Sequence, residues 1–195
     1  MSDVRGTILS VDLDDLACYH AIHGLPPPAP EQAATALERC LPRFLKLFAE
    51  LGARATFFVV GRDLERDMQG AGHGAAFLSL AAQSGHELGN HSYSHAYDLV
   101  DWPAGQIYQD LRRCDALLRR LGAAPKGFRA PGYCHDELLL QQVGALGYRY
   151  DSSTLPSPAY YAAKLAAIGL IRLRGRRSQS RARGAASFLG PTRAN

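Results

Sequence analysis

Nothing in the sequence reads as a membrane span, because no apolar run approaches the roughly 18 residues one needs. The opening Met1-Ser-Asp-Val-Arg-Gly6 lacks the basic-then-apolar order of an export signal, so a cytoplasmic location is expected. Of four cysteines, Cys18, Cys40, Cys114 and Cys134, none stands in a Cys-x-x-Cys pair. That scatter excludes a zinc ribbon and favours free thiols, with Cys40 and Cys114 buried in helical patterns. Acidic residues run out at Asp151, whereas Lys164 and seven arginines follow it. Removing those eight from the 22 basic residues leaves 14 against 18 acidic ones, so the body is mildly acidic. The positive net charge therefore belongs to the C-terminal stretch and gives no general case for nucleic acid.

What remains is a chain of 195 residues with ordinary apolar content, enough for one domain with a sizeable core. Thr7–Asp14 reads as a buried strand ending in carboxylates, and Leu25–Pro30 as a proline-rich loop. Helical patterns cover 31–39 and 43–51, with Pro42 suited to a first turn. Ala55–Val60 reads as a second buried strand, and a helix over 75–83 closes at Gly85. Strand-like Glu87-Leu-Gly precedes His91-Ser-Tyr-Ser-His95, and the clearest helix spans Pro103–Leu121. Strand-like Gly127–Arg129, a helix over Asp136–Leu146 and a strand at Tyr148–Tyr150 complete the pattern. Strands alternating with helices predict a parallel α/β architecture. From about residue 173 periodicity is lost, giving domain bounds of 1–172 and a basic tail at 173–195. A solvated disordered tail, a nucleic-acid arm and a truncation or frameshift end all suit it, and the last is favoured.

Three groups carry chemistry. His91 and His95, four apart, fall on one face of a helical turn, close enough to share a divalent ion. Asp12, Asp14 and Asp15 cluster where an α/β fold collects its functional groups, and three carboxylates there call for a cation or arginine. Strand alternation puts Asp12 and Asp14 on one side, while Asp15 suits a helix cap. In Phe128-Arg-Ala-Pro-Gly-Tyr133 an arginine precedes a turn whose N–H groups could face an oxyanion.

In this order the residues resemble the NodB homology domain of polysaccharide deacetylases, carbohydrate esterase family four. Ser10-Val-Asp-Leu-Asp14 resembles its first motif, and Ala55-Thr-Phe-Phe-Val-Val-Gly61 the strand that follows. Gly85-His-Glu-Leu-Gly-Asn-His-Ser-Tyr-Ser-His95 matches its second motif throughout. Arg129-Ala-Pro-Gly-Tyr133 resembles the third, with one glycine inserted, and Gly147–Ser153 the fourth. The resemblance implies a distorted (β/α) barrel of the glycoside hydrolase/deacetylase type, incomplete at the C-terminus. It implies Asp14, His91 and His95 as metal ligands, with zinc the expected ion. Asp12 is then the catalytic base, Arg129 orients it, and backbone N–H groups near Gly132 and Tyr133 stabilise the oxyanion. His86 would support a strand end, and Asp14 rather than Asp15 as ligand is a choice of geometry.

The implied activity is hydrolysis of N-acetyl groups on an amino-sugar polysaccharide or glycan precursor. The partner is carbohydrate, with no nucleic acid and no membrane span. Hydrolysis of a small or cyclic amide, and an inactive metal- or glycan-binding pseudoenzyme, are the alternatives. The family's late histidine, which protonates the leaving amine, has no counterpart after His135, so little or no turnover is expected. Asp151 stands where that histidine's partner is expected.

Overall fold

A computed structural model describes residues 7–29, 32 and 34–180. Among them β1 (Leu9–Asp12), β2 (Ala55–Val59), β3 (Glu87–Asn90), β4 (Gly127–Phe128) and β5 (Tyr150–Asp151) form one sheet. Every neighbouring pair is parallel, and spatial order equals chain order. A doubly wound sheet reverses its strand order partway, whereas a (β/α) barrel adds each strand on the same side. The sheet is thus a curled half-barrel, as expected, with β1 and β5 at its two edges.

Between and after the strands run α1 (Leu16–Ile22), α2 (Leu41–Glu50), α3 (Gly61–Gln69) and α4 (Gly74–Gln83). They are followed by α5 (Ala104–Arg120), α6 (Glu137–Ala145) and α7 (Pro158–Leu173). Helix α5 shows why the pattern was readable: Ile107, Leu111, Cys114 and Leu118 recur at helical spacing and are all fully buried. The expected break between helices over 31–39 and 43–51 is absent. Ala36–Cys40 form a π-helical turn that runs straight into α2, and Pro42, having no N–H, lies just past the junction. Residues 31 and 33 lie outside those described.

Strand β2 is apolar except at half-buried Thr56, because its central position in the sheet covers both of its faces. Phe57 on β2 is fully buried, its ring 6.4 Å from Phe44, 6.1 Å from Phe48 and 5.4 Å from His86. Leu64, Leu78 and Leu118 complete this layer beneath α2, α3, α4 and α5. A second cluster, with Ile107, Phe128 and Leu139, locks α5 and α6 onto β4.

The four cysteines are free thiols, of which Cys114 is buried as expected and Cys40 only half-buried. Helix α7 ends at Leu173, and Gln179 N–H donates to the Ala21 carbonyl, so residues up to 180 turn back beside α1. The rest of the expected tail, 181–195, lies outside the described residues. No helix among the described residues is long and apolar enough to cross a membrane.

Replacing Phe57 with alanine should cost about 3–5 kcal/mol, measured by urea unfolding, because a fully buried ring leaves a cavity in this layer. Phe57→Leu should cost less than half of that, and a loss under roughly 1 kcal/mol for alanine would contradict this account of the core.

Candidate metal centre and active site

Strand β1 ends at Asp12, and the chain then descends through buried Leu13 to Asp14 and Asp15. Leu13 N–H still bonds the Phe58 carbonyl, which keeps this segment in register with β2. Asp15 caps α1, accepting from Leu16 N–H at 2.8 Å, and pairs with Arg66 Nη2 at 2.8 Å. The cap removes Asp15 from the cluster. Asp14 instead points at the two histidines.

His91 follows the last residue of β3, its N–H held by the Val59 carbonyl. Its Nδ1–H donates to the Arg129 carbonyl at 2.7 Å, which fixes the tautomer and leaves Nε2 free of its proton. The helical turn expected across residues 91–95 is not formed. Ser92 and His95 both take positive φ, 62° and 51°, so the segment is a loop that folds the second imidazole back against the first. The ring centroids lie 4.9 Å apart. Three side chains offset that backbone strain by accepting hydrogen bonds. Asn90 Oδ1 accepts from Ser92 N–H, Ser92 Oγ from His95 N–H, and Asp110 of α5 from both Tyr93 and Ser94 N–H.

Asp14 Oδ1 lies 3.3 Å from His91 Nε2 and 3.2 Å from His95 Nε2. Close as they are, none of the three atoms has a partner in hydrogen-bond geometry, and all three are buried. One ligand atom from each residue falls within 4.8 Å of the others. Three orphaned donors converging on one point, from two imidazoles and a carboxylate, fit a divalent ion. Burial would raise the Asp14 pKa, but the close approach of His91 and His95 outweighs it and holds the carboxyl well below the usual range. Burial pulls both histidines down; Asp14 overcomes it at His91, while the neighbouring His91 charge helps keep His95 low. A carboxylate held ionised beside two imidazoles is a ligand set ready to take a cation.

Beside it, Arg129 Nη1 donates to Asp12 Oδ1 at 2.7 Å. Its other bonds reach Ser10 Oγ at 2.9 Å, Ser152 Oγ at 2.7 Å and the Ser152 carbonyl at 3.1 Å. The guanidinium also stacks over Phe58, 4.2 Å from the ring centroid. Gly132 and Tyr133 take φ of 60° and 61°, and a Cβ on Gly132 would come within 2.8 Å of Tyr97, so glycine is required there. Tyr133 N–H closes the turn on the Ala130 carbonyl at 3.0 Å, so in this conformation it is not turned toward a substrate. The Tyr133 ring lies 5.8 Å from the Arg129 guanidinium. His86 lies away from the triad, accepting the Ala55 N–H at the start of β2.

Sequence reasoning missed the supports. Tyr148 Oη links Asn90 to Asp115, Asp151 holds Ser153, and Ser153 Oγ accepts the Ala130 N–H. Tyr97 packs edge-on to His95 at 5.1 Å and fills the space above Gly132. A signal existed for two of them, since Asp110 and Asp115 occupy the apolar stripe of α5.

A polysaccharide deacetylase family model matches residues 32–150. The chain is 30% identical over 149 residues to a peptidoglycan deacetylase of Helicobacter pylori, covering 74% of this chain and 48% of that protein. It is 30% identical over 120 residues to a chitin deacetylase of Colletotrichum lindemuthianum, covering 61% and 47%. It thus spans about half the length of the curated relatives it matches. A family 4 carbohydrate esterase from Streptomyces lividans, solved with acetate, shares the fold with a TM-score of 0.52 at 19% identity, covering 73% of this chain and 59% of that one.

Asp63 of α3 is a buried carboxylate outside the triad, its side chain 2% exposed. Arg66 lies 3.3 Å and Arg62 3.8 Å from its Oδ1, yet neither oxygen gains a hydrogen bond. Burial is the main cause that pushes its pKa up to about 6, against the pull of both arginines. The folded state therefore keeps a proton that the unfolded chain releases near 3.8, and stability falls as pH rises toward about 6. In the metal-free chain, Asp63→Asn should be indistinguishable from the parent below that window. Above it the variant should be more stable by roughly 2–3 kcal/mol, read from urea unfolding against pH. A difference that does not change with pH would contradict this account.

Proposed function

Because the chain belongs to the polysaccharide deacetylase family, we propose that it carries the metal centre and base of a hydrolase that removes N-acetyl groups from an amino-sugar polysaccharide or glycan precursor. The observation that carries the reading is the convergence of Asp14, His91 and His95 beside an arginine-bound Asp12. Those three residues would hold a divalent ion, zinc in our reading, and such an ion polarises a carbonyl and acidifies water.

The remaining chemistry belongs to the protein's own groups. Asp12 Oδ1 is engaged by Arg129, and Oδ2 takes no hydrogen bond from the described residues, which leaves it able to accept a proton from water. Arg129 keeps the carboxylate aimed, and its own four contacts leave it little freedom. Water that has given its proton to Asp12 attacks the acetamide carbonyl, and the C–N bond breaks to release acetate and the amine. Buried Tyr97 and Phe58 wall the site and lower its exposure to solvent. The departing amine needs a proton, and Asp12, having received one from water, can return it.

The chain should bind one divalent ion, lost in the His91→Ala, His95→Ala double variant, by metal analysis after dialysis. Acetate release from N-acetylated chitooligosaccharides should be measurable, with about 10²–10⁴-fold of its rate owed to the Asp12 base. Asp12→Asn should abolish it while metal stays bound. Absence of the ion from the parent chain would overturn the reading. Hydrolysis of a cyclic amide with no acetate release would move the substrate class.

A further inference from the structure

Next to His95 a cavity of about 1140 Å³ opens between α1, the His91–His95 loop and α7. Ligand pockets commonly enclose roughly 300–1,000 Å³, so the space accommodates a sugar with a substituent. Its walls carry apolar Leu165 and Ile168 of α7 and, around them, Arg62, Arg172 and Arg177. Asp98 is the one carboxylate among the lining residues. Arg62 approaches Asp63 at 3.8 Å, but neither Arg172 nor Arg177 forms an ion pair with a carboxylate among the described residues. No acidic residue occurs after Asp151, so α7 and the segment beyond it have no carboxylate of their own to offset this charge.

Arg177 is brought there by a defined backbone path. Gly175, with φ of 72°, turns the chain off α7, and Gln179 N–H bonds the Ala21 carbonyl. A Cβ on Gly24 would stand 2.7 Å from the Arg177 carbonyl, so the two backbones meet at a contact that only glycine permits. The cavity thus has a cationic wall, carried on a defined backbone, beside His95 of the triad.

Arginine's planar fork is suited to carboxylate and phosphate oxygens, and two unpaired guanidinium groups beside an apolar wall favour a ligand with an anionic end and a sugar body. We propose that this cavity is a subsite for an acidic substituent, carboxylate or phosphate, on the amino sugar whose acetamide reaches the triad. The inference rests on the deacetylase reading and narrows it, from neutral amino-sugar polymers to acidic ones or to phosphorylated precursors.

Isothermal titration of the full chain with N-acetylmuramic acid, N-acetylglucosamine 1-phosphate and neutral N-acetylglucosamine tests it. At least one acidic sugar should bind about tenfold more tightly than the neutral one, and the preference should shrink as salt is added. Which acidic sugar binds better identifies the source of the charge. Arg172→Gln and Arg177→Gln, singly and together, should reduce that preference, and both residues are exposed, so the fold should persist by circular dichroism. Equal binding of neutral and acidic sugars would overturn the proposal, as would a preference unmoved by the variants. Inorganic phosphate binding as tightly as the sugar phosphate would also overturn it, because the sugar would then contribute nothing. Metal content measured on the same samples separates the two readings: an arginine-dependent preference without metal leaves the subsite standing and removes the deacetylase, and the converse result does the opposite.

Discussion

Asn90 pairs with Val59 on one side and with Phe128 on the other, and the site depends on that register in the middle of the sheet. With β1 to β5 parallel and in step, each strand hands the chain to a loop at nearly the same level. Asp12 stands beside Phe58, and Asp151 beside Phe128, so the residues that follow all emerge at one end. A slip of one residue in β3 would turn His91 to the opposite face and empty the triad. Phe58 contributes no charge yet lies under both halves of the site, 6.3 Å from the His91 ring and 4.2 Å from the Arg129 guanidinium. A Cβ on Gly89 would come within 2.6 Å of the Phe58 ring, so the glycine ahead of Asn90 gives that ring its room.

Holding charge at this end carries a desolvation cost, and α5 absorbs much of it. Buried Asp110 would be costly if unpaired, yet it takes two loop N–H groups at 2.8 and 3.0 Å and so satisfies backbone that positive φ would otherwise leave bare. Asp115 works one turn further along, through Tyr148 to Asn90, whose amide also reaches the Leu111 carbonyl. Each member of this chain is hydrogen-bonded, which is the condition under which a buried polar network rigidifies rather than weakens a core. Asp63 is the contrasting case, a buried carboxylate with charge nearby but no bond.

Long elements with one dominant period were legible: α5, α4 and β2 fall within a residue or two of where apolar spacing puts them. Helices α1 and α3 were not, because seven or nine residues give too few repeats and α3 hides Leu64 among charged neighbours. Helix α7 was missed because its pattern carries small residues with a weak periodic bias. The charged residues that converge could be named from their motifs, but the loop that brings them together could not. Four-residue spacing between His91 and His95 suits a helix as well as a loop with left-handed residues, and the backbone hydrogen bonds accepted by Asp110 and Asn90 favour the second. The proline-glycine turn was visible in sequence, whereas the closure of Tyr133 N–H on Ala130 is a matter of two dihedral angles.

Asp12 and Asp14 are two residues apart on one strand end, and their surroundings separate their roles. Asp12 meets a guanidinium, which holds one oxygen and leaves the other able to take a proton. Asp14 meets two imidazoles and no hydrogen-bond donor in good geometry, a surrounding that suits a ligand and not a base. Buried Leu13 between them supplies the alternation, since its side chain turns into the core and sends its two neighbours the other way. Paired carboxylates with contrasting partners are a general route to two functions at one pH. Here the contrast is set by chain connectivity: β4 delivers Arg129 to the first carboxylate, and β3 delivers His91 and His95 to the second.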